Sequence, residues 1–285
     1  MTALPLFPST HSERSLNLTS LLSHIRRACL LVAVVSLSAC SVPTAQEGNP
    51  NNRPEAVSST LRLAQATAES GDHVNAARLY EKVLASDPES VEALKGAGDS
   101  YSRMGQHGRA ETVLLRAHEL APGNDDVLNI LGRVNLSQKR PDEALKYYDK
   151  ALRLNRKNIS AITGKGVALD TMSQHLKAQK VYEDGLSIYP ANFILRSNYA
   201  LSLALTGNSA KGISILQELV RDPNAAPHVR DNLALVYGLA GLENEARATL
   251  TLDMNAQEIE ENIAIYAALR RMMQDGNPIG SLVFA

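Results

Sequence analysis

With 285 residues, 44% of them apolar and 21% charged, the chain has the ordinary make-up of one or two globular domains. A formal charge of −1 excludes the strongly basic surface that a phosphate backbone requires, and two cysteines are too few for a disulfide framework or a thiolate metal cage. An ordinary membrane span needs about 18 consecutive apolar residues, which the sequence does not contain, and scarce aromatics beside abundant Ala favour helices packed closely through small residues.

Met1 to Arg27 is polar and ends in Arg26-Arg27. Ala28 to Leu37 is apolar apart from Ser36, and Ser38-Ala39-Cys40 follows. A positive end, a short apolar core and a small-residue cleavage point are the three parts of an export signal, and this core is too short to cross a bilayer. Leu37-Ser38-Ala39-Cys40 resembles the lipobox of bacterial lipoproteins. The resemblance implies that residues 1–39 are removed and that the Cys40 sulfur carries lipid. Because Ser41 rather than Asp follows, it also implies delivery to the outer membrane. A plain secretory signal with an incidental cysteine is the alternative. One acyl chain binds a membrane only marginally, whereas two or three anchor durably. Three Pro and three Asn break up Ser41 to Ala56, so residues 40–56 read as a lipidated flexible tether able to reach roughly 50 Å.

From Val57 onward the sequence repeats every 34 residues, in units 57–90, 91–124, 125–158, 159–192, 193–226 and 227–252. Position 8 of the unit holds Ala64, Gly98, Gly132, Gly166, Ala200 and Ala234; position 20 holds Ala76, Ala110, Ala144, Ala178, Gly212 and Ala246. All twelve are Ala or Gly, which together make up only about a fifth of the chain. Such positions suit the points where the two helices of a hairpin touch. Position 24 holds bulky Tyr80, Leu114, Tyr148, Tyr182, Leu216 and Leu250. Gly71, Gly105, Gly207 and Gly241 supply a tight turn at position 15, with Lys139 departing in unit three; Pro88, Pro122 and Pro190 stop the second helix near position 32.

This period and these residue types resemble the tetratricopeptide repeat (TPR) over residues 57–252. The resemblance implies an all-α, right-handed superhelix of about six helical hairpins. Asn255-Ala256-Gln257-Glu258 reads as a capping box opening a helix over 255–274, in which Ile259, Ile263, Tyr266, Leu269 and Met273 recur at helical spacing. Such a helix covers the last repeat of a solenoid. Residues 275–285 form a short tail with no assigned role.

Chemistry-bearing constellations are missing. His118-Glu119 begins like a zinc-protease motif, but Pro122 stands where the second ligand belongs, and there is no Walker loop, G-x-S-x-G or dinucleotide fingerprint. His73, His107 and His175 share position 17 and read as a solvated turn position rather than a metal ladder. The expectation is a protein that is not an enzyme, with no cofactor, no metal, no small-molecule substrate and no nucleic-acid partner. In TPR arrays the first helices line the concave face. The groove residues this points to are Asn129, Arg133, Val167, Ile194, Leu201 and Leu235, the last four forming an apolar strip. That strip either grips an amphipathic helix or strand of another protein or lies under the capping helix. On the first reading, Leu201→Asp and Leu235→Asp leave the fold intact and weaken capture.

The lipobox, the tether, about six TPR units, the run from Val229 to Gly241 and the stretch from Asp253 to Arg270 together resemble the TadD family, the TPR lipoproteins of the tight-adherence (Flp-type) pilus machinery. That resemblance implies a lipid-anchored, periplasm-facing scaffold or pilotin-like factor whose partners are pilus and secretion assembly proteins, the outer-membrane secretin first among them. The alternative is a general envelope TPR lipoprotein that scaffolds cell-wall or outer-membrane assembly proteins.

Overall fold

In the computed structural model, residues 53–222 and 227–284 are described. The export signal, Cys40 and most of the tether fall outside them, as does Pro223, which departs from the proline spacing of the other units. Six helical hairpins follow one another: α1 (Arg53–Glu69) with α2 (His73–Ser86), α3 (Val91–Arg103) with α4 (His107–Leu120), and α5 (Asp125–Ser137) with α6 (Pro141–Leu154). Then come α7 (Ile159–Thr171) with α8 (His175–Ile188), α9 (Phe193–Leu205) with α10 (Ser209–Val220), and α11 (Pro227–Leu239) with α12 (Glu243–Leu250). A nineteen-residue helix α13 (Ala256–Gln274) and a single turn α14 (Gly280–Val283) complete the array. No strand occurs among the described residues.

The hairpins form because small residues meet large ones at fixed positions. A Cβ on Gly98 would lie 2.4 Å from Leu114, one on Gly132 2.6 Å from Tyr148, and one on Gly166 2.2 Å from Tyr182. Position 8 is therefore a socket for the side chain at position 24 of the same hairpin. Tyr148 also fills the space over Gly164 of the following hairpin, so one ring joins two units.

Each first helix from α3 to α9 starts on the same device. Ser90, Asn124, Asn158 and Asn192, all at position 34, accept a hydrogen bond from the backbone N–H three residues on, at 3.4, 3.1, 2.9 and 2.9 Å. Ser and Asn are among the residue types whose short side chains best satisfy the free N–H groups of a first turn. The tether is shorter than expected, because α1 begins at Arg53 rather than Val57. Pro54 falls in the first turn, where its missing N–H has no partner to lose.

All six position-15 residues take positive φ, including Lys139 at 60° and Ser173 at 58°, which stand where the other units have glycine. A side chain in this conformation is strained by about 1 kcal/mol. Lys139→Gly and Ser173→Gly are therefore each expected to stabilise the array by about 0.5–1 kcal/mol, read as a rise in the urea midpoint.

Asn255 and Glu258 form a reciprocal capping box, and α13 buries Ile259, Ile263, Tyr266 and Leu269. It packs chiefly on α11, with Tyr266 seated over Gly238, and less on the short α12. After α13 the chain turns back through Gly276 at φ +76°, with Asn277 N–H donating to the Met272 carbonyl at 2.8 Å and Gly276 N–H to Met273 at 3.1 Å. This closes the helix in a Schellman turn. The tail is not loose: Ile279 is buried and α14 rests on α7.

Candidate functional site

First helices of successive hairpins touch one another, α3 with α5, α5 with α7 and α7 with α9, whereas second helices pack mainly on the first helices that flank them. The first helices are thus the inner layer, and their free faces line the inside of the array.

Across units two and three this inner face carries charge that is already matched. Lys95 reaches Asp126 at 3.4 Å, and Asp99 receives Arg103 at 3.0 Å together with Arg133. Burial works to raise the Asp99 carboxyl, but the two guanidiniums outweigh it and hold the group below its usual range. Arg133 is therefore tied across two hairpins instead of pointing freely into the groove.

Between units three and four the face opens into a recess of about 320 Å³. Asn129 and Arg133 from α5, Thr163 and Val167 from α7, and Ile194 at the start of α9 line it. Four of the six groove residues named from sequence thus share one recess. Ile194 is 55% exposed there, an aliphatic side chain presented to solvent.

The other two are placed differently, and for them the buried alternative holds instead of the open groove. Leu201 is 4% exposed and belongs to a core cluster with Tyr266, Leu269 and Ile279; Leu235 is half-buried against the same cluster. The physical reason is that α13 packs on unit six and the segment after it returns to α7, joining Leu201 and Leu235 in one apolar cluster. Leu201→Asp would bury a carboxylate, so it cannot serve as a fold-neutral probe of the groove.

A second correction concerns position 17. His73, His107 and His175 are the first residues of their helices and are half-buried, and the Nδ1 atoms of His73 and His107 have no protein partner. His175 Nδ1 lies 2.7 Å from Asp170 Oδ1, and Ser202 Oγ donates to the same oxygen at 2.7 Å. Asp170 has no solvent exposure. The hydroxyl of neighbouring Tyr182 lies against this carboxyl, although neither it nor Asp170 Oδ2 makes a hydrogen bond of good geometry. Sequence reasoning missed this cluster because its members come from positions 12, 17 and 10 of two different units.

Burial pushes the Asp170 carboxyl above its ordinary range, and its bonds from His175 and Ser202 offset only part of that. With the folded value above the unfolded one, this group favours folding most below about pH 4, and the contribution is lost as pH rises through the folded value. Asp170→Asn keeps an acceptor for both neighbours and removes the buried charge. It is expected to be at least as stable as the parent at about pH 8 and to lose that advantage towards about pH 4; thermal unfolding at the two pH values checks it.

Among the described residues no group of three or more His, Cys, Asp or Glu side chains is arranged to hold a metal ion, and no helix is long and apolar enough to cross a membrane.

Residues 61–125 and 95–159 match the tetratricopeptide repeat family model. The fold is a tetratricopeptide-repeat solenoid. Among curated proteins the chain is 40% identical to the uncharacterised protein y4yS of Sinorhizobium fredii, over 31% of this chain and 48% of that protein. It is 31% identical to the type IV pilus assembly protein PilF of Pseudomonas aeruginosa, over 36% of this chain and 42% of that one. The chain thus spans less than half the length of these relatives. In structure it superposes on PilW, a type IV pilus biogenesis factor, with a TM-score of 0.65 at 18% identity, covering 73% of this chain and 98% of that one. The match to PilW is one of fold, and the sequence similarity to PilF adds a likeness to a pilus assembly protein.

Proposed function

We propose that this TPR protein is a non-enzymatic scaffold for pilus biogenesis, tethered to the inner leaflet of the bacterial outer membrane by lipid on Cys40 and facing the periplasm. In this reading it is a TadD-type, pilotin-like factor that grips the outer-membrane secretin or a neighbouring assembly protein and aids its localisation or assembly. The observation that carries the reading is the 31% identity to the pilus assembly protein PilF. The lipobox of the sequence supports the anchor, and the recess around Val167 and Ile194 supplies an exposed aliphatic contact of the kind partner proteins bury.

The test is genetic. A deletion strain is complemented with the parent gene, with Cys40→Ser, or with Val167→Asp combined with Ile194→Asp, and secretin multimers and surface pili are measured. Loss of multimers in the deletion, mislocalisation with Cys40→Ser and loss of secretin co-purification with the groove variant are expected. Unchanged multimers and pili in the deletion strain would falsify the pilus reading and favour a general envelope scaffold.

A further inference from the structure

The segment after α13 occupies a surface that belongs to other repeats. Gly280 lies against the backbone of α7: a Cβ there would sit 1.9 Å from the Asp170 carbonyl oxygen and 3.0 Å from His175 Cε1. Backbone cannot yield as a flexible side chain does, so any residue but glycine forces the segment off. Ile279 is 2% exposed, and Val283 and Phe284 are half-buried against the cluster that contains Leu201 and Tyr237. Ser281 and Leu282 face outwards. Within itself the segment is one helical turn, with Val283 N–H donating to Ile279 at 3.1 Å and Phe284 N–H to Gly280 at 2.9 Å. An apolar residue, a glycine in backbone contact and two further apolar residues three and four places on: this is a short peptide seated on the side of a repeat array.

We propose that the inner surface of units four and five, around Asp170, His175 and Leu201, is a peptide-binding site whose resident ligand is this chain's own Ile279–Phe284. It takes a short apolar segment in one helical turn with glycine at the backbone contact. A partner segment of that chemistry enters only when the resident leaves, so the segment acts as an intramolecular competitor. This inference rests on the packing alone and stands apart from the pilus reading.

The test uses the full chain and a labelled synthetic peptide of residues 277–285. Gly280→Val should release the resident segment and leave its cradle open. The peptide is expected to bind Gly280→Val at least tenfold more tightly than the parent protein by fluorescence anisotropy, and a peptide that itself carries Gly280→Val is expected to bind neither. Equal affinity for parent and variant, or binding to neither, overturns the proposal. A second measurement does not depend on the variant folding. In native-state hydrogen exchange of the parent, the Leu282, Val283 and Phe284 amides should open far more readily than amides in the middle of α9; exchange of both sets only through global unfolding overturns it as well.

Discussion

Tyr182→Ala is expected to destabilise the protein by about 3–5 kcal/mol, a large share of the 5–15 kcal/mol that holds a typical domain together. The ring is fully buried, and it fills the space over Gly166 so closely that even a methyl group there would collide with it. Removing it leaves a cavity between α7 and α8 that a rigid hairpin cannot collapse to fill. Tyr182→Phe keeps the ring and removes a hydroxyl that lies against the Asp170 carboxyl without a well-formed hydrogen bond, so its loss is expected to stay within about 1 kcal/mol. Urea unfolding of the pair separates packing from polarity. Equal losses in both variants would show that the hydroxyl, and not the ring, holds the hairpin.

Leu201→Asp and Ile194→Asp should part company just as sharply, although both residues were read from sequence as members of one strip. Leu201 is buried in the core cluster that the returning end of the chain joins, so its replacement forfeits a core side chain and buries a carboxylate, at a loss of at least about 3 kcal/mol. Ile194 stands in solvent at the mouth of the recess, and Ile194→Asp should change stability by no more than about 0.5 kcal/mol. Circular dichroism melts of the two variants read this directly. A fold-neutral Leu201→Asp would mean that the apolar cluster around Leu201, Tyr266 and Ile279 is not closed in solution.

The contrast between these two leucine-like neighbours marks where sequence was informative. The 34-residue period, the Ala and Gly at positions 8 and 20 and the bulky position 24 are local rules repeated six times, and the hairpins follow from them with little else required. The Asn255–Glu258 capping box was equally plain, since both of its members lie within one turn. Burial of Leu201 was open to two readings, because sequence could not tell whether α13 and the residues after it would join the apolar cluster around it. The same holds for Asp170, His175 and Ser202: each is an ordinary polar residue in sequence, Asp170 and His175 meet across the turn of one hairpin, and only stacking of the next hairpin brings Ser202 to the same carboxylate. Arg133 looked like a free groove cation for the same reason, its partner Asp99 being one full repeat earlier.

The seating of Gly280 on α7 also changes how the array comes apart. An open solenoid is a row of neighbour-to-neighbour couplings and can fray from either end, one repeat at a time. Here the first three hairpins retain that freedom, but the contact from residue 280 back to residue 170 closes units four to six into a loop. While that clasp is shut, the second half must melt as a single foldon and the first half can unravel stepwise, so one chain carries two different modes of cooperativity.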